Sequence, residues 1–233
     1  MMRFFVWVLW IVAASSEAGQ SALEAFKHHD YTTAFRGYAQ HAKEGNVTAQ
    51  NALSYLYFQG LGTKQSNEQG LYWLRKAAAS NSTRAQYDLG MFYLKGTHVA
   101  QNYHEALHWL QRASDAGNAD AQYNAALMYY RGDGIDHNVT RAAQLLEQAA
   151  QQGHQGAIAN IGRIYMQLLD FDRAALWLQK NARHHDKEAY YLLAEIYCEQ
   201  QKFAQAKIWA QKARESGNTQ VETLQKKCRL QEH

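Results

Sequence analysis

The segment Ala85-Gln-Tyr-Asp-Leu89-Gly90-Met-Phe-Tyr93-Leu-Lys-Gly96 decides the fold of this chain. Ala85, Leu89 and Tyr93 follow one another at i, i+4 and i+8, which places their side chains on one face of an α-helix. Gly96 then lies in the turn that leads to the next helix. The segment is therefore predicted to be an amphipathic helix.

A second amphipathic segment follows this turn. It places Ala106, Trp109, Leu110 and Ala113 on one helical face, with small residues that let a neighbouring helix approach closely. Gly117 then provides a helix stop, because glycine readily takes the left-handed conformation that ends a helix. Together the two segments predict a helix-turn-helix unit.

The same pattern recurs along the chain at nearly constant spacing. The alanine that begins the pattern recurs after 36 residues three times and then after 32. A tyrosine lies eight residues after each of these alanines, and a large apolar residue in the second helix recurs with nearly the same spacing. These recurring positions are Ala49, Ala85, Ala121, Ala157 and Ala189; Tyr57, Tyr93, Tyr129, Tyr165 and Tyr197; and Trp73, Trp109, Leu145, Trp177 and Trp209.

These residues resemble the Sel-1-like repeat, a member of the tetratricopeptide-like superfamily. The match is Ala-x3-Leu-Gly-x2-Tyr-x2-Gly, followed by Ala-x2-Trp-x3-Ala and a terminal Gly, as between Ala85 and Gly117. The resemblance implies an all-α, right-handed superhelical solenoid of helix-turn-helix repeats, with the first helix of each repeat on the concave side. One hairpin cannot bury both of its apolar faces, so neighbouring hairpins must stack.

The register divides the chain into consecutive segments. The last two copies lack four residues of the turn between their helices and are closer to generic tetratricopeptide units. We predict an N-terminal partial repeat at 19–46, five repeats at 47–82, 83–118, 119–154, 155–186 and 187–218, and a capping helix with its tail at 219–233.

The first 18 residues have the order of a secretory signal peptide. Arg3 precedes an apolar run at residues 4–14, and Ser16 and Ala18 are small residues at the −3 and −1 positions of a cleavage site. The run is too short for a mature membrane span, which needs about 20 residues. We therefore predict a periplasmic or secreted protein that is cleaved after about Ala18 and keeps no stable span; the alternative is an uncleaved N-terminal anchor.

The overall composition argues against nucleic acid as a partner. The formal net charge is only +3, and no block of like charges occurs in the chain. Hydrophobic residues make up 47% and charged residues 19%, which is typical of a globular protein. Protein or peptide partners are the prediction, and the resemblance implies work in assembling or maintaining a cell-envelope or secretion complex.

Each first helix leaves one stripe of side chains outside its packing face. The stripe is rich in tyrosine, which gives a large contact area at low entropic cost, and we interpret it as a concave groove for a protein partner. The alternative is that the tyrosines pack between adjacent first helices. The predicted groove residues are Asn51, Tyr55, Arg84, Tyr87, Met91, Lys95, Tyr123, Leu127, Arg131, Arg163, Tyr191 and Glu195.

The segment His104-Glu105-Ala-Leu-His108 matches the H-E-x-x-H pattern, in which two histidines bind zinc and the glutamate activates water. In the repeat register Ala106 and Trp109 are the packing residues, which leaves both histidines on the outer face. A third ligand is missing at the usual place, because no glutamate occurs between Glu105 and Glu147. We predict no catalytic residue, metal or cofactor; a zinc metallohydrolase and a cell-wall glycan-binding module are the alternatives.

The chain contains two cysteines, Cys198 in the last repeat and Cys228 in the predicted cap. In an exported protein an even pair indicates a disulfide, which here would fasten the cap to the final repeat. The alternative is two separate buried thiols.

Overall fold

The structure, a computed structural model, describes residues 17–182 and 186–228. Within these ranges it contains thirteen α-helices and no β-strand, so the all-α prediction is confirmed. Most of the predicted signal peptide, residues 1–16, lies outside the described residues, as do residues 183–185 of the predicted repeat at 155–186 and residues 229–233 of the predicted tail. The helices are α1 Glu17–Lys27, α2 Tyr31–Lys43, α3 Val47–Gln59, α4 Asn67–Ala79, α5 Thr83–Lys95, α6 Tyr103–Asp115, α7 Ala119–Arg131, α8 Val139–Gln151, α9 Gln155–Gln167, α10 Phe171–Ala182, α11 Lys187–Glu199, α12 Phe203–Glu215 and α13 Val221–Lys227.

The helices belong to two compact units, residues 1–116 and 117–233. In the first unit α1 to α6 form three successive hairpins, each packed against the next. In the second unit α7 to α12 do the same, and α13 packs at the end. Each unit is thus a stack of helical hairpins, which is the architecture of a helical repeat solenoid.

The segment before the first full repeat contains two helices rather than one. α1 pairs with α2, and Ala22 of α1 is buried together with Ala34 and Ala42 of α2. The segment predicted as a partial repeat therefore holds a hairpin in which both helices are present. The repeat pattern missed α1 because its sequence lacks the Leu-Gly-x2-Tyr part of the motif.

Helix ends are set by side chains that recur in the register. A capping side chain accepts the backbone N–H three residues later at the start of each first helix from α3 onward, at Asn46, Ser82, Asn118, His154 and Asp186. Such caps satisfy N–H groups that have no partner inside the helix. The first helices of the three longer repeats end at left-handed glycines, at Gly60, Gly96 and Gly132.

Close helix packing within a hairpin depends on two glycines. A Cβ atom added at Gly90 would lie 2.8 Å from Cγ of Leu110, and one added at Gly162 would lie 2.6 Å from Cγ of Leu178. Both leucines are almost fully buried. The glycine of the repeat motif therefore makes room for the leucine of the partner helix.

Polar contacts join consecutive repeats through the recurring tyrosine. Arg75 donates to the hydroxyl of Tyr93 at 3.3 Å, and Gln179 donates to the hydroxyl of Tyr197 at 2.7 Å. Tyr165 instead donates its own hydroxyl hydrogen to Glu147 at 2.8 Å, and burial raises the pKa of Tyr165 to about 12. Tyr93, Tyr165 and Tyr197 are therefore part of the interfaces between consecutive repeats.

His98 fastens the turn of one repeat to the repeat before it. Its ring lies 4.4 Å from the ring of Phe58 and 4.8 Å from that of Phe92, and Nδ1 lies 2.9 Å from the amide oxygen of Asn67. Its φ of 63° is left-handed. Burial among these groups lowers the pKa of His98 below its usual value.

We expect His98 to make the fold less stable under mild acid. Since its pKa is lowered in the folded chain, the unfolded chain takes up the proton first as the pH falls through about 6.5. Stability should therefore decrease below that pH and level off once the folded form is also protonated. Urea unfolding of the protein and of His98→Asn at pH 7.5 and 5 measures the effect. Asparagine tolerates the left-handed conformation and does not titrate, so an equal pH response in both proteins would contradict this account.

Within the described ranges, no helix is both long enough and apolar enough to cross a membrane.

Candidate functional site

The predicted groove residues of the first unit lie on α3 and α5, and some of them already have partners. Asn51 donates to the Ser82 hydroxyl at 2.7 Å, which links α3 to the start of α5. The Tyr55 ring lies 6.2 Å from that of Phe26, and burial raises the pKa of Tyr55. These two side chains therefore connect adjacent first helices.

Further along, α5 presents a mixed polar and apolar surface. Arg84 pairs with Asp88 at 2.8 Å, and burial raises the pKa of that carboxyl while the guanidinium offsets part of the shift. Tyr87 and Met91 are half-buried, and Lys95 in the last turn is exposed. Within the described residues Lys95 takes part in no ion pair. This end of the helix is the part of the stripe most open to a partner.

In the second unit Tyr123 is largely engaged within the protein. Its ring stacks on that of His154 at 4.4 Å, and Asn160 donates to its hydroxyl at 3.4 Å. Arg163 on α9 forms an ion pair with Glu188 on α11. Packing between first helices, the alternative interpretation of the stripe, thus accounts for both Tyr123 and Arg163.

The remaining side chains of the second-unit stripe are more accessible. Leu127 is half-buried and Arg131 is exposed, and Arg131 forms no ion pair within the described part of the chain. Tyr191 and Glu195 are half-buried, and burial together with the Glu195 carboxylate raises the pKa of Tyr191. The surface that a partner can reach is therefore concentrated near the ends of the first helices.

His154 and Asp120 form a carboxylate–histidine pair in which the imidazole has no free nitrogen for catalysis. His154 Nε2 lies 3.3 Å from Asp120, while its Nδ1 accepts the backbone N–H of Ala157 at 3.0 Å. Since both ring nitrogens are occupied, the imidazole caps α9 and is not available as a general base.

The H-E-x-x-H segment lies on α6, as an outer part of a second helix. His104 and His108 are exposed, and the His108 ring packs edge-on against Trp109 at 5.0 Å. The backbone N–H of Glu105 donates to the helix-capping side chain of Asn102. Among the residues that the structure describes, no group of three or more His, Cys, Asp and Glu side chains is placed to hold a metal ion.

The C-terminal helix contributes a residue that the sequence interpretation missed. Val221 follows Ala189 by 32 residues, so α13 stands where the first helix of another repeat would stand, and Lys227 falls at a stripe position. Lys227 pairs with Glu199 on α11 at 2.7 Å. Extending the register by one more step would have found Lys227.

Cys198 on α11 and Cys228 after α13 are joined by a disulfide, with their Cα atoms 5.9 Å apart. The bond fastens the terminal helix to the last full repeat.

Stacked hairpins with a recurring Ala, Leu-Gly, Tyr and Trp register define a helical repeat scaffold. The Sel1 repeat model matches residues 47–82, 83–118, 119–154 and 187–218, which is more than half of the chain. The chain belongs to the Sel1 repeat family. The repeat at 155–186 lies between matched ranges and has the same two helices, α9 and α10.

A solved structure shows the same fold. The chain is similar to a Sel1 repeat protein from Oxalobacter formigenes, at 29% identity over 89% of this chain and 86% of that one, with a TM-score of 0.65. It also resembles c5321, a protective antigen of uropathogenic Escherichia coli strains, at 27% identity over 84% of this chain and 52% of that one, with a TM-score of 0.43. No protein of curated function matches the chain in sequence.

Proposed function

We propose that this chain is an exported, non-enzymatic scaffold that holds a protein partner against the stripes on its first helices. Its place of action would be the periplasm or the extracellular space, in the assembly or maintenance of a cell-envelope or secretion complex. Membership of the Sel1 repeat family supports the scaffold role. The leader-like first 18 residues support export.

The observation that carries the proposal is the mixed surface at the ends of the first helices. In each unit a half-buried apolar side chain lies one helical turn before an exposed cation: Met91 before Lys95, and Leu127 before Arg131. An apolar contact next to an accessible charge suits an extended peptide or helix with an acidic residue beside a hydrophobic one. Tyr87 adds aromatic area to this surface.

Partner capture should first be done in the native envelope. A photoreactive amino acid at position 127 faces the proposed surface, and one at position 144 lies on the exposed side of α8 as a control. We expect a discrete crosslinked protein from position 127 only. Crosslinking to peptidoglycan instead would favour the glycan-binding alternative.

The two cations provide the quantitative test. We expect Lys95→Glu and Arg131→Glu each to weaken binding of the captured partner by about tenfold, which is about 1.4 kcal/mol. Lys64→Glu and Lys207→Glu are matched controls, because they make the same charge change at exposed positions outside the stripes. Isothermal titration calorimetry measures the affinities, and circular dichroism checks that the helices persist. Equal affinities for the stripe and control variants would reject the proposed surface.

A further inference from the structure

The end of the second unit is covered by the short helix α13. Val221, Leu224 and Cys228 are buried at 0%, 3% and 5% exposure. The surface beneath them consists of small side chains from α11 and α12, with tyrosine and tryptophan at its edge. The buried members of this surface are Ala194, Ala206, Ala210 and Ala213, and the partly buried ones are Tyr190, Tyr191, Tyr197, Cys198 and Trp209.

An acidic edge borders this alanine surface. Glu199 accepts a hydrogen bond from the Lys227 ammonium at 2.7 Å. This contact raises the pKa of Lys227, and the nearby Glu195 carboxylate adds a smaller contribution in the same direction. The covering helix therefore matches the surface in two ways. Its aliphatic residues meet the alanines, and its lysine meets the carboxylates.

Besides the disulfide, α13 is held by its buried Val221 and Leu224, by a hydrogen bond from Arg214 to Gln225 and by the ion pair of Lys227 with Glu199. It has only seven residues, and a helix of that length is not stable on its own in water. Its ion pair with Glu199 is exposed, and exposed ion pairs contribute little. The bond between Cys198 and Cys228 is the covalent restraint that keeps this short helix against the surface.

We propose that the end surface of α11 and α12 is a docking surface for a basic amphipathic helix of a partner protein, covered by α13 while the Cys198–Cys228 disulfide is closed and uncovered when it is reduced. The surface differs from the first-helix ends near Leu127 and Arg131 in both position and charge. There the protein presents cations to a partner, whereas here it presents carboxylates.

The opening step is an ordinary thiol–disulfide exchange. Cys198 is partly buried and Cys228 is buried, so Cys198 is the more accessible of the two; the thiolate of an external dithiol attacks its Sγ and releases Cys228 as a thiolate, which takes up a proton. The second thiol of the dithiol then displaces Cys198 and leaves as the oxidised disulfide. Two electrons pass from the dithiol to the protein, and both cysteines end as thiols.

The sequence of α13 also indicates which residues a partner helix would need in order to replace it. Val221, Leu224 and Cys228 lie at i, i+3 and i+7, and Lys227 lies at i+6. A partner helix therefore needs small or aliphatic residues at i, i+3 and i+7 and a basic residue at i+6. This pattern is typical of helix-in-groove recognition, in which an amphipathic helix binds a groove through its apolar face.

Hydrogen exchange of the full chain tests the opening. We expect the amides of α13 to exchange at least tenfold faster after reduction, and equally fast in a Cys198→Ser, Cys228→Ser double variant. The amides of α7 and α8 should not change and serve as the internal control. Unchanged protection of α13 after reduction would overturn the proposal.

Binding in trans tests the surface itself. The probe is a fluorescent peptide of residues 219–233 with Cys228→Ser, and the receptor is the double cysteine variant with Leu224→Asp, which prevents its own α13 from seating. We expect saturable binding to this receptor and none to the oxidised chain. The peptide with Lys227→Glu should bind at least tenfold more weakly and regain affinity for a receptor that also carries Glu199→Lys. Failure of the parent peptide to bind, or binding indifferent to these charges, would reject the docking surface.

Discussion

Replacing Trp177 with alanine is expected to lower the free energy of unfolding of the second unit by about 3–5 kcal/mol. Trp177 is only 3% exposed, so its removal leaves a cavity between α10 and its neighbours. The indole N–H also donates to Glu147 on α8 at 3.4 Å, and the ammonium of Lys180 lies 3.9 Å from the ring centre. The substitution therefore removes packing, a hydrogen bond between repeats and a cation–π contact together.

Three companion variants separate these contributions, each measured by urea unfolding. Trp177→Phe keeps most of the ring but removes the N–H, and should cost about 1 kcal/mol. Trp177→Leu introduces the residue that the third repeat has at Leu145, and should fall between phenylalanine and alanine. Trp209→Ala removes a half-exposed tryptophan at the equivalent position and should cost clearly less than Trp177→Ala. An equal loss in the two alanine variants would show that burial of Trp177 is not the dominant factor.

The fold could be predicted from the sequence because each repeat carries several signals in one register. Ala85, Leu89 and Gly90 mark one helix, Ala106 and Trp109 mark the other, and the family match covers the same segments. α1 was not recognised as a helix of a repeat because its sequence lacks the Leu-Gly-x2-Tyr part of the motif.

The candidate site was harder to predict, since helical periodicity shows that a side chain lies outside the main packing face but not whether a neighbouring repeat reaches it. Tyr123 illustrates the difference. Its stripe position was evident, but its stacking on His154 depends on a histidine that caps the next first helix. Arg163 likewise meets Glu188 only because α9 and α11 lie side by side.

The turns between the two helices of a repeat also make contacts that the sequence does not predict. His98 stands at a position that Gly62 occupies in the repeat before, and the sequence alone gives no reason for the exchange. In the structure both residues have a left-handed backbone, but they face different neighbours. His98 packs on Phe58 and Asn67, whereas Gly62 lies against the backbone of Tyr31.

Gly62→Ala is accordingly expected to destabilise the first unit by about 2–5 kcal/mol. A left-handed φ of 68° at an alanine costs about 1–2 kcal/mol. In addition, the new Cβ atom would lie 2.0 Å from the carbonyl oxygen of Tyr31 and 2.4 Å from its carbonyl carbon. Because these are backbone atoms, no side-chain rotation can relieve the overlap, and the turn must move away from α2 at a further cost of about 1–3 kcal/mol.

Gly45→Ala in the same unit separates the cost of the left-handed backbone from the cost of the overlap with Tyr31. Gly45 also has a left-handed backbone, with φ of 92°, but a Cβ atom there would meet nothing within 4 Å. It should therefore show the conformational cost alone. Urea unfolding gives the two free energies, and hydrogen exchange should show faster exchange in the turn at 60–66 and at the start of α2 only for Gly62→Ala. If the two variants lose the same stability, the close approach of the turn to Tyr31 contributes nothing, and the longer turns do not help to hold consecutive repeats together.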